Sequence, residues 1–255
     1  MGKLVIGLQM YTLRDFCKNA ADIAQTLPKI KKIGYNVIQA SGMAPLPAKE
    51  LKKLLDDAGI YACSTHTGYP PIVNETDRVI EDHKILGCEA IECPGLPMEL
   101  HNKAGYLKVA ADFAKVLPKI KAAGLTLGYH NHSLELEQYD GKTGLAYLLD
   151  SCPGLESEID TYWIQHGGGD PADWIEKYSG RLSQIHFKDM GNKRGEHTMP
   201  PIGDGNLNWP RILQACARAG TRFALVEMDT PTLEPFEAVQ RSLNNMLKWG
   251  LSATR

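Results

Sequence analysis

No stretch of this sequence is apolar for long enough to cross a bilayer as a helix, which takes about 18 residues or more. Charge of neither sign dominates: 28 Lys+Arg stand against 30 Asp+Glu, for a formal net charge of −2 with histidines neutral. That balance argues against nucleic acid or a membrane surface as a partner, since phosphate binding needs a concentrated positive field. Cysteine is sparse and scattered, at Cys17, Cys63, Cys88, Cys93, Cys152 and Cys216. This is far from a disulfide scaffold, there is no Cys-x-x-Cys pair, and the Cys88–Cys93 spacing suits neither a zinc knuckle nor a redox motif. The six read as reduced, mostly buried thiols of a cytoplasmic protein. The opening Met1-Gly2-Lys3 leads straight into the strand-like Leu4-Val5-Ile6-Gly7-Leu8, with no room for a secretory leader.

What is present is ordinary for a globular chain: 255 residues, 43% hydrophobic, 23% charged, with 24 Gly and 15 Pro. One pattern recurs along it: an amphipathic helical stretch, a glycine, then a short apolar run. Leu27-Pro28-Lys29-Ile30-Lys31-Lys32-Ile33-Gly34 precedes Tyr35-Asn36-Val37-Ile38-Gln39, and Leu117-Pro118-Lys119-Ile120-Lys121-Ala122-Ala123-Gly124 precedes Leu125-Thr126-Leu127. Gly59, Gly87, Gly154, Gly180 and Gly220 mark the same junction, where a helix commonly ends in a left-handed residue. These junctions, with the N-terminal strand, predict eight βα units, and the apolar runs look buried on both faces, as covered parallel strands are. No Gly-x-Gly-x-x-Gly turn follows the first strand, so the expectation is one α/β domain over residues 1–255, a (β/α)8 TIM barrel, rather than an open doubly wound sheet. The stretch from Gly191 to Asn208, rich in Gly and Pro, shows neither strand nor helix period and reads as a long functional loop.

In such a barrel the strands' C-terminal ends share one mouth, where chemistry collects. Four consecutive strands end in imidazole or carboxylate: Tyr129-His130-Asn131-His132, Glu158-Ile159-Asp160, Gln184-Ile185-His186-Phe187-Lys188-Asp189 and Leu225-Val226-Glu227-Met228-Asp229. Side chains alternate faces along a strand, so if the first of each set points inward, His130, Asp160, His186 and Glu227 converge. A lone strand-end histidine is ordinarily a hydrogen-bonded structural group, and a lone Asp an N-cap. Two buried carboxylates on neighbouring strands, however, require a cation or protons, and two imidazoles complete a mixed N/O site suited to a first-row divalent ion. Weaker mouth candidates are Gln9, Tyr11, His66 and Glu92, the aromatic Tyr162, Trp163 and Trp209, and Glu135, which is as readily a solvated loop carboxylate.

On Gly128-Tyr129-His130-Asn131-His132-Ser133-Leu134-Glu135, Glu158-Ile159-Asp160-Thr161-Tyr162-Trp163, His186-Phe187-Lys188-Asp189-Met190, Gly203-Asp204-Gly205-Asn206 and Val226-Glu227-Met228-Asp229, the chain resembles the xylose isomerase-like TIM-barrel family of sugar isomerases and epimerases. The resemblance runs over essentially the whole length. It implies one divalent metal (Mn, Co, Zn, Fe or Mg) bound by Glu, Asp, His and Glu on strands five to eight. Asp160, His186 and Glu227 match the last three positions; at the first, His130 stands where many members have Glu. That departure puts a two-glutamate proton exchange in doubt, and the His-Asn-His variant is similar to branches that include inosose dehydratases and lyases of 3-keto-glycosides.

The resulting expectation is a metal-dependent enzyme that takes a proton from the carbon next to a carbonyl of a sugar or keto-sugar, passing through an enediolate. Isomerase or epimerase is the first reading, and a carbon–oxygen lyase or dehydratase the second. The metal is assigned to His130, Asp160, His186 and Glu227; acid/base or electrophilic work to Glu227, His132 and Lys188, the last being otherwise a surface partner of Asp189; substrate contacts to Glu135, His66, Trp163, Gln9 and Glu92. The partner is a small-molecule sugar, with a homo-oligomer left open. Further rivals are an abasic-DNA endonuclease, which shares the barrel but needs a basic groove, and a non-catalytic sugar-binding subunit.

Overall fold

The computed structural model describes residues 4–254; Met1–Lys3, part of the opening run read above, lie outside them. Eight parallel strands form the central sheet: β1 Val5–Gln9, β2 Val37–Ala40, β3 Tyr61–His66, β4 Ala90–Cys93, β5 Thr126–His130, β6 Glu156–Glu158, β7 Gln184–Phe187 and β8 Phe223–Val226. Their order is β6-β5-β4-β3-β2-β1-β8-β7. The two end strands also meet: the Asp160 and His186 backbones form a parallel bridge, and the His186 N–H donates to the Ile159 carbonyl at 2.9 Å. The sheet is therefore a nearly closed (β/α)8 barrel, as the glycine-punctuated repeat predicts.

Helices cover the strands: α1 Ala20–Ile33, α2 Ala48–Ala58, α3 Tyr69–Asn74, α4 Thr76–Leu86, α5 Lys103–Ala122, α6 Gly144–Ser151, α7 Thr161–His166, α8 Pro171–Lys177, α9 Trp209–Ala219 and α10 Pro235–Lys248. Six of the seven junction glycines have positive φ, where a Cβ would be strained. Gly154 differs: α6 has already ended at Ser151, and Pro153-Gly154 forms the turn without a left-handed residue. The six cysteines are free and buried, as expected. No helix among the described residues is long and apolar enough to cross a membrane.

The interior of the barrel divides into two storeys. Val5, Val37, Cys63, Phe223 and Leu225 make a small apolar cluster separate from the main core outside the strands. Beside this cluster the interior turns polar, with Gln39, Ser64, Glu92, Glu158 and Gln184 all buried.

The Gly191–Asn208 stretch departs from the structureless loop expected. Gly191–Lys193 and Glu196–Thr198 pair as an antiparallel hairpin around Arg194-Gly195, both at positive φ. Neither arm carries apolar alternation, so the pattern was invisible to hydrophobic periodicity. What holds the remainder is Asp189, whose carboxylate accepts the N–H groups of Gly203, Gly205 and Leu207 and the indole N–H of Trp209. Trp209 is accordingly a core residue, packed on Phe187 and Trp249, and not a platform at the mouth.

Candidate metal and sugar site

His130, Asp160, His186 and Glu227 come together at the mouth, offering one ligand atom each with all four atoms within 4.8 Å of one another. All four side chains are buried. Asp160 sits just past β6 and uses its two oxygens differently. Its Oδ1 accepts the Trp163 N–H at 2.9 Å, capping α7, while its Oδ2 faces His130 Nε2 at 3.4 Å and Lys188 Nζ at 3.0 Å. Capping and ligand-type placement are thus both properties of one carboxylate. Its backbone N–H is held by Asn131 Oδ1 at 3.1 Å, which couples the end of β5 to that of β6.

His186 is oriented from below. Its Nε2 donates to Gln39 Oε1 at 2.7 Å and lies 3.2 Å from Glu158 Oε1, which turns Nδ1 towards Glu227 Oε2 at 2.8 Å. Ligating histidines are characteristically held in this way through the other ring nitrogen. The hydrogen bonds continue as a floor under the site. Gln39 Nε2 donates to Glu158 Oε1 (2.6 Å) and to Ser64 Oγ (3.0 Å), Ser64 Oγ donates to Gln184 Oε1 (2.9 Å), and Gln184 Nε2 donates to Glu92 Oε1 (2.7 Å). On the far side Glu158 Oε2 meets His66 Nε2 at 2.9 Å, and His66 Nδ1 meets Ser41 Oγ at 3.0 Å.

Lys188 brings a positive charge into the centre. It is 1% exposed, and its ammonium lies 3.0 Å from Asp160, 2.9 Å from Glu227 and 3.1 Å from Asp229. It is no surface partner of Asp189, because alternation sends Asp189 to the opposite face. Burial works against the ammonium, but these three carboxylates outweigh it and raise its pKa. Burial likewise opposes the Glu227 carboxylate, and Lys188 and His186 overcome it, holding the group well below the usual range. His186 is raised, the burial penalty being outweighed by Glu158 and Glu227. Burial, reinforced by His186 and His66, pushes His130 well down; burial and then His130 bring His132 to about 4. Both rings are therefore neutral at pH 7, with a lone pair to offer.

The donor set fits a first-row divalent ion. Two imidazoles and two carboxylates converge, His130 Nδ1 is a buried nitrogen without a partner among the described residues, and the Gln39 contact leaves His186 Nδ1 directed at the carboxylates.

A cavity of about 460 Å³ opens above, lined by residues that include Gln9, Ser41, His66, His130, His132 and Glu227. Gln9 is less a free contact than a support: its Nε2 donates to Glu227 Oε1 at 3.1 Å, and its Oε1 accepts the Tyr11 N–H at 2.6 Å. Trp163 flanks the mouth, its ring 5.5 Å from that of His132 and 5.3 Å from Lys188 Nζ. Two expected substrate contacts are placed elsewhere. Glu135 is fully buried, with Oε1 taking the Tyr129 hydroxyl at 2.6 Å and Oε2 the His132 N–H at 2.9 Å, so it braces the His132 turn from behind. Glu92 lies in the floor, 1% exposed and packed so closely on Gly128 that a Cβ there would be 2.0 Å from its Oε2. Gln39, Ser64, Glu158, Gln184 and Asp229 were given no site role by the sequence reading. Glu158 and Asp229 each stand two residues from a predicted ligand, on the same strand face, and that parity was the available signal.

The family model described as "xylose isomerase-like TIM barrel" matches residues 27–249. The chain belongs to this family. Among solved structures, this family member is similar to a sugar phosphate isomerase/epimerase from Parabacteroides distasonis, at 25% identity and TM-score 0.81, covering 96% of this chain and 94% of that one. An L-ribulose 3-epimerase shares the fold at 17% identity and TM-score 0.73, over 98% and 95% of the two chains. So does a probable 3-DHS dehydratase of petrobactin synthesis from Bacillus anthracis, at 14% identity and TM-score 0.73, over 96% and 99%. No curated protein matches the sequence significantly.

Proposed function

We propose that this xylose isomerase-like barrel is a divalent-metal-dependent enzyme that isomerises or epimerises a sugar or keto-sugar by removing a proton next to a carbonyl. The observation that carries this reading is the convergence of His130, Asp160, His186 and Glu227 beneath a polar cavity of about 460 Å³. A divalent ion held by those four side chains supplies Lewis acidity to the substrate's oxygens. Glu227 is the base: its carboxylate is ionised at neutral pH and is fixed by Gln9 and His186. His132, neutral and lining the same cavity, is placed to receive or return a proton through its ring, while Glu135 fixes its backbone. The Lys188 ammonium, 2.9 Å from Glu227, supplies a fixed positive charge beside the position where negative charge develops as an enediolate forms. The sugar isomerases and epimerases of similar fold support the reading.

A specific observation favours a second reading, a lyase or dehydratase. The strand-five position is the neutral imidazole of His130, so a pair of carboxylates on opposite faces of the substrate is one short. Elimination needs one base and one acid rather than two matched bases, and the likeness to the dehydratase fold is consistent with that. Incubating the metal-loaded protein with a panel of keto-sugars in D2O, followed by NMR and mass spectrometry, separates the two. Conserved mass with deuterium at the carbon next to the carbonyl supports isomerisation, and loss of water or of an alcohol fragment supports elimination. Full turnover in chelator sinks the metal-dependent reading, and bound metal with no turnover on any keto-sugar indicates a sugar-binding subunit.

A further inference from the structure

Beside the mouth, between the loops that follow β6 and β7, lies a second cavity of about 270 Å³ that the proposed reaction does not use. Gln165, Asn192, Asn206 and His197 line it, with Met190 and Leu207 as apolar wall. We propose that this groove is a subsite for a second, uncharged sugar ring, so that the substrate is a glycoside or disaccharide rather than a monosaccharide or its phosphate. The inference rests on the sugar-directed reading of the mouth and extends it.

The lining has the chemistry that recognises a polyol. The side-chain amides of Gln165 and Asn206 find no hydrogen-bond partner among the described residues, and Asn192 spends only its Oδ1, on the Gly195 N–H. A carboxamide both donates and accepts, which suits hydroxyl groups in either role. Aromatic rings lead from one cavity to the other. His132 lines the mouth; its ring centroid is 5.5 Å from that of Trp163, Trp163 is 5.5 Å from His166, and His166 is 5.4 Å from His197, which lines the groove. Such a ledge offers ring faces to the C–H face of a pyranose while ring edges and amides meet its hydroxyls.

The groove is also built in advance. Asp189 gathers the Gly203, Gly205 and Leu207 N–H groups, the Asn206 N–H donates to the Met190 carbonyl at 2.7 Å, and Gly205 has no room for a Cβ beside the Asp189 carboxylate. A wall fixed in this way costs little to order on binding.

A phosphate, by contrast, is poorly provided for. Lys188 is saturated by three carboxylates, and Arg14, beside Tyr11 at the rim, donates to the Tyr11 and Asp229 carbonyls. Among the described residues, no lysine or arginine lines either the mouth or the groove.

Calorimetric titration of the metal-loaded protein with glucose, glucose 6-phosphate, cellobiose, maltose and sucrose tests this. At least one disaccharide is expected to bind about tenfold more tightly than glucose, with glucose 6-phosphate gaining nothing. Asn206→Trp, which fills the groove from an exposed position, should abolish the disaccharide's advantage while leaving glucose affinity and Tm unchanged. Gln165→Ala, on a different element, should reduce the same advantage and guards against a folding defect in the first variant. Preference for the phosphate, no disaccharide exceeding glucose, or equal loss for both sugars in the variants overturns the proposal. The readout is binding, so a protein that turns over no keto-sugar still decides the question of the groove, and failure here leaves the chemistry of the mouth standing.

Discussion

The Nε2 of His186 on β7 lies 2.7 Å from Gln39 Oε1 on β2, a contact across the barrel interior between residues 147 apart in sequence. Because an amide oxygen can only accept, Nε2 carries a proton, and Nδ1, 2.8 Å from Glu227 Oε2, is the ring nitrogen turned towards the candidate ligands. Replacing Gln39 with Leu removes that constraint. Gln39→Leu is expected to weaken divalent-ion binding by about 10- to 100-fold, the usual range for a lost partner behind a ligating histidine. Titration with Mn2+ followed by calorimetry measures this directly, and unchanged affinity would show that ring orientation is set elsewhere.

Lys188 offers a second test. Its ammonium lies within hydrogen-bonding distance of Asp160, Glu227 and Asp229 at once. Lys188→Met leaves those carboxylates facing one another at similar side-chain volume. Breaking a buried pair in this way costs about 3–5 kcal/mol. The loss should appear in urea denaturation of the metal-free protein and shrink when Mn2+ is present, because the ion then supplies the missing charge. A loss that is identical with and without Mn2+ would separate Lys188 from the metal site.

The barrel itself was legible because each junction repeats a local rule: a helix stops at a glycine and an apolar run begins. Rules of that kind failed where contacts are long in sequence. Gln39 is the lone polar residue of the run Val37-Ile38-Gln39-Ala40, but its partner Glu158 is 119 residues away and only barrel closure joins them. Alternation along β5 to β8 was enough to bring His130, Asp160, His186 and Glu227 to one point. It said nothing about depth, so Glu92 was read as a mouth residue although it sits one layer lower. Glu135 went astray for a different reason. Its direction is decided by the Tyr129 hydroxyl and the His132 N–H, both nearby in sequence, through a turn geometry that no periodicity reports.

Gly128 tests the floor. Its backbone is ordinary, but an added Cβ would fall 2.0 Å from Glu92 Oε2 and 2.7 Å from its Cδ. Burial, reinforced by Glu158, pushes the Glu92 carboxyl well above its ordinary range, and Gln184 Nε2 donates to its Oε1. Gly128→Ala should force this side chain aside and cost about 1–3 kcal/mol of stability, as overpacking does. Gly128→Ala combined with Glu92→Ala, which clears the space, should recover part of that loss. Additive destabilisation in the double variant would place the strain in the backbone instead.

Outside the site, His83 gives the chain a separable pH dependence. It is buried in α4, with Nδ1 donating to the Val79 carbonyl at 2.7 Å and Nε2 accepting from the Thr65 hydroxyl at 2.9 Å. Accepting from Thr65 needs an unprotonated Nε2, and burial lowers the ring's pKa although the Val79 contact works the other way. The unfolded chain therefore takes up a proton first as pH falls below about 6.5, while the folded chain resists. The stability this group contributes is complete above the unfolded pKa and declines as pH falls towards the folded value, with a slope of at most about 1.4 kcal/mol per pH unit for one proton. Asn at this position keeps a polar end but cannot titrate. His83→Asn should start less stable at pH 7.5, and its Tm should fall less steeply than the parent's between pH 6.5 and 5, measured in the same buffers so that the other histidines cancel. Parallel Tm curves would mean that His83 takes up its proton as readily in the folded chain as in the unfolded one.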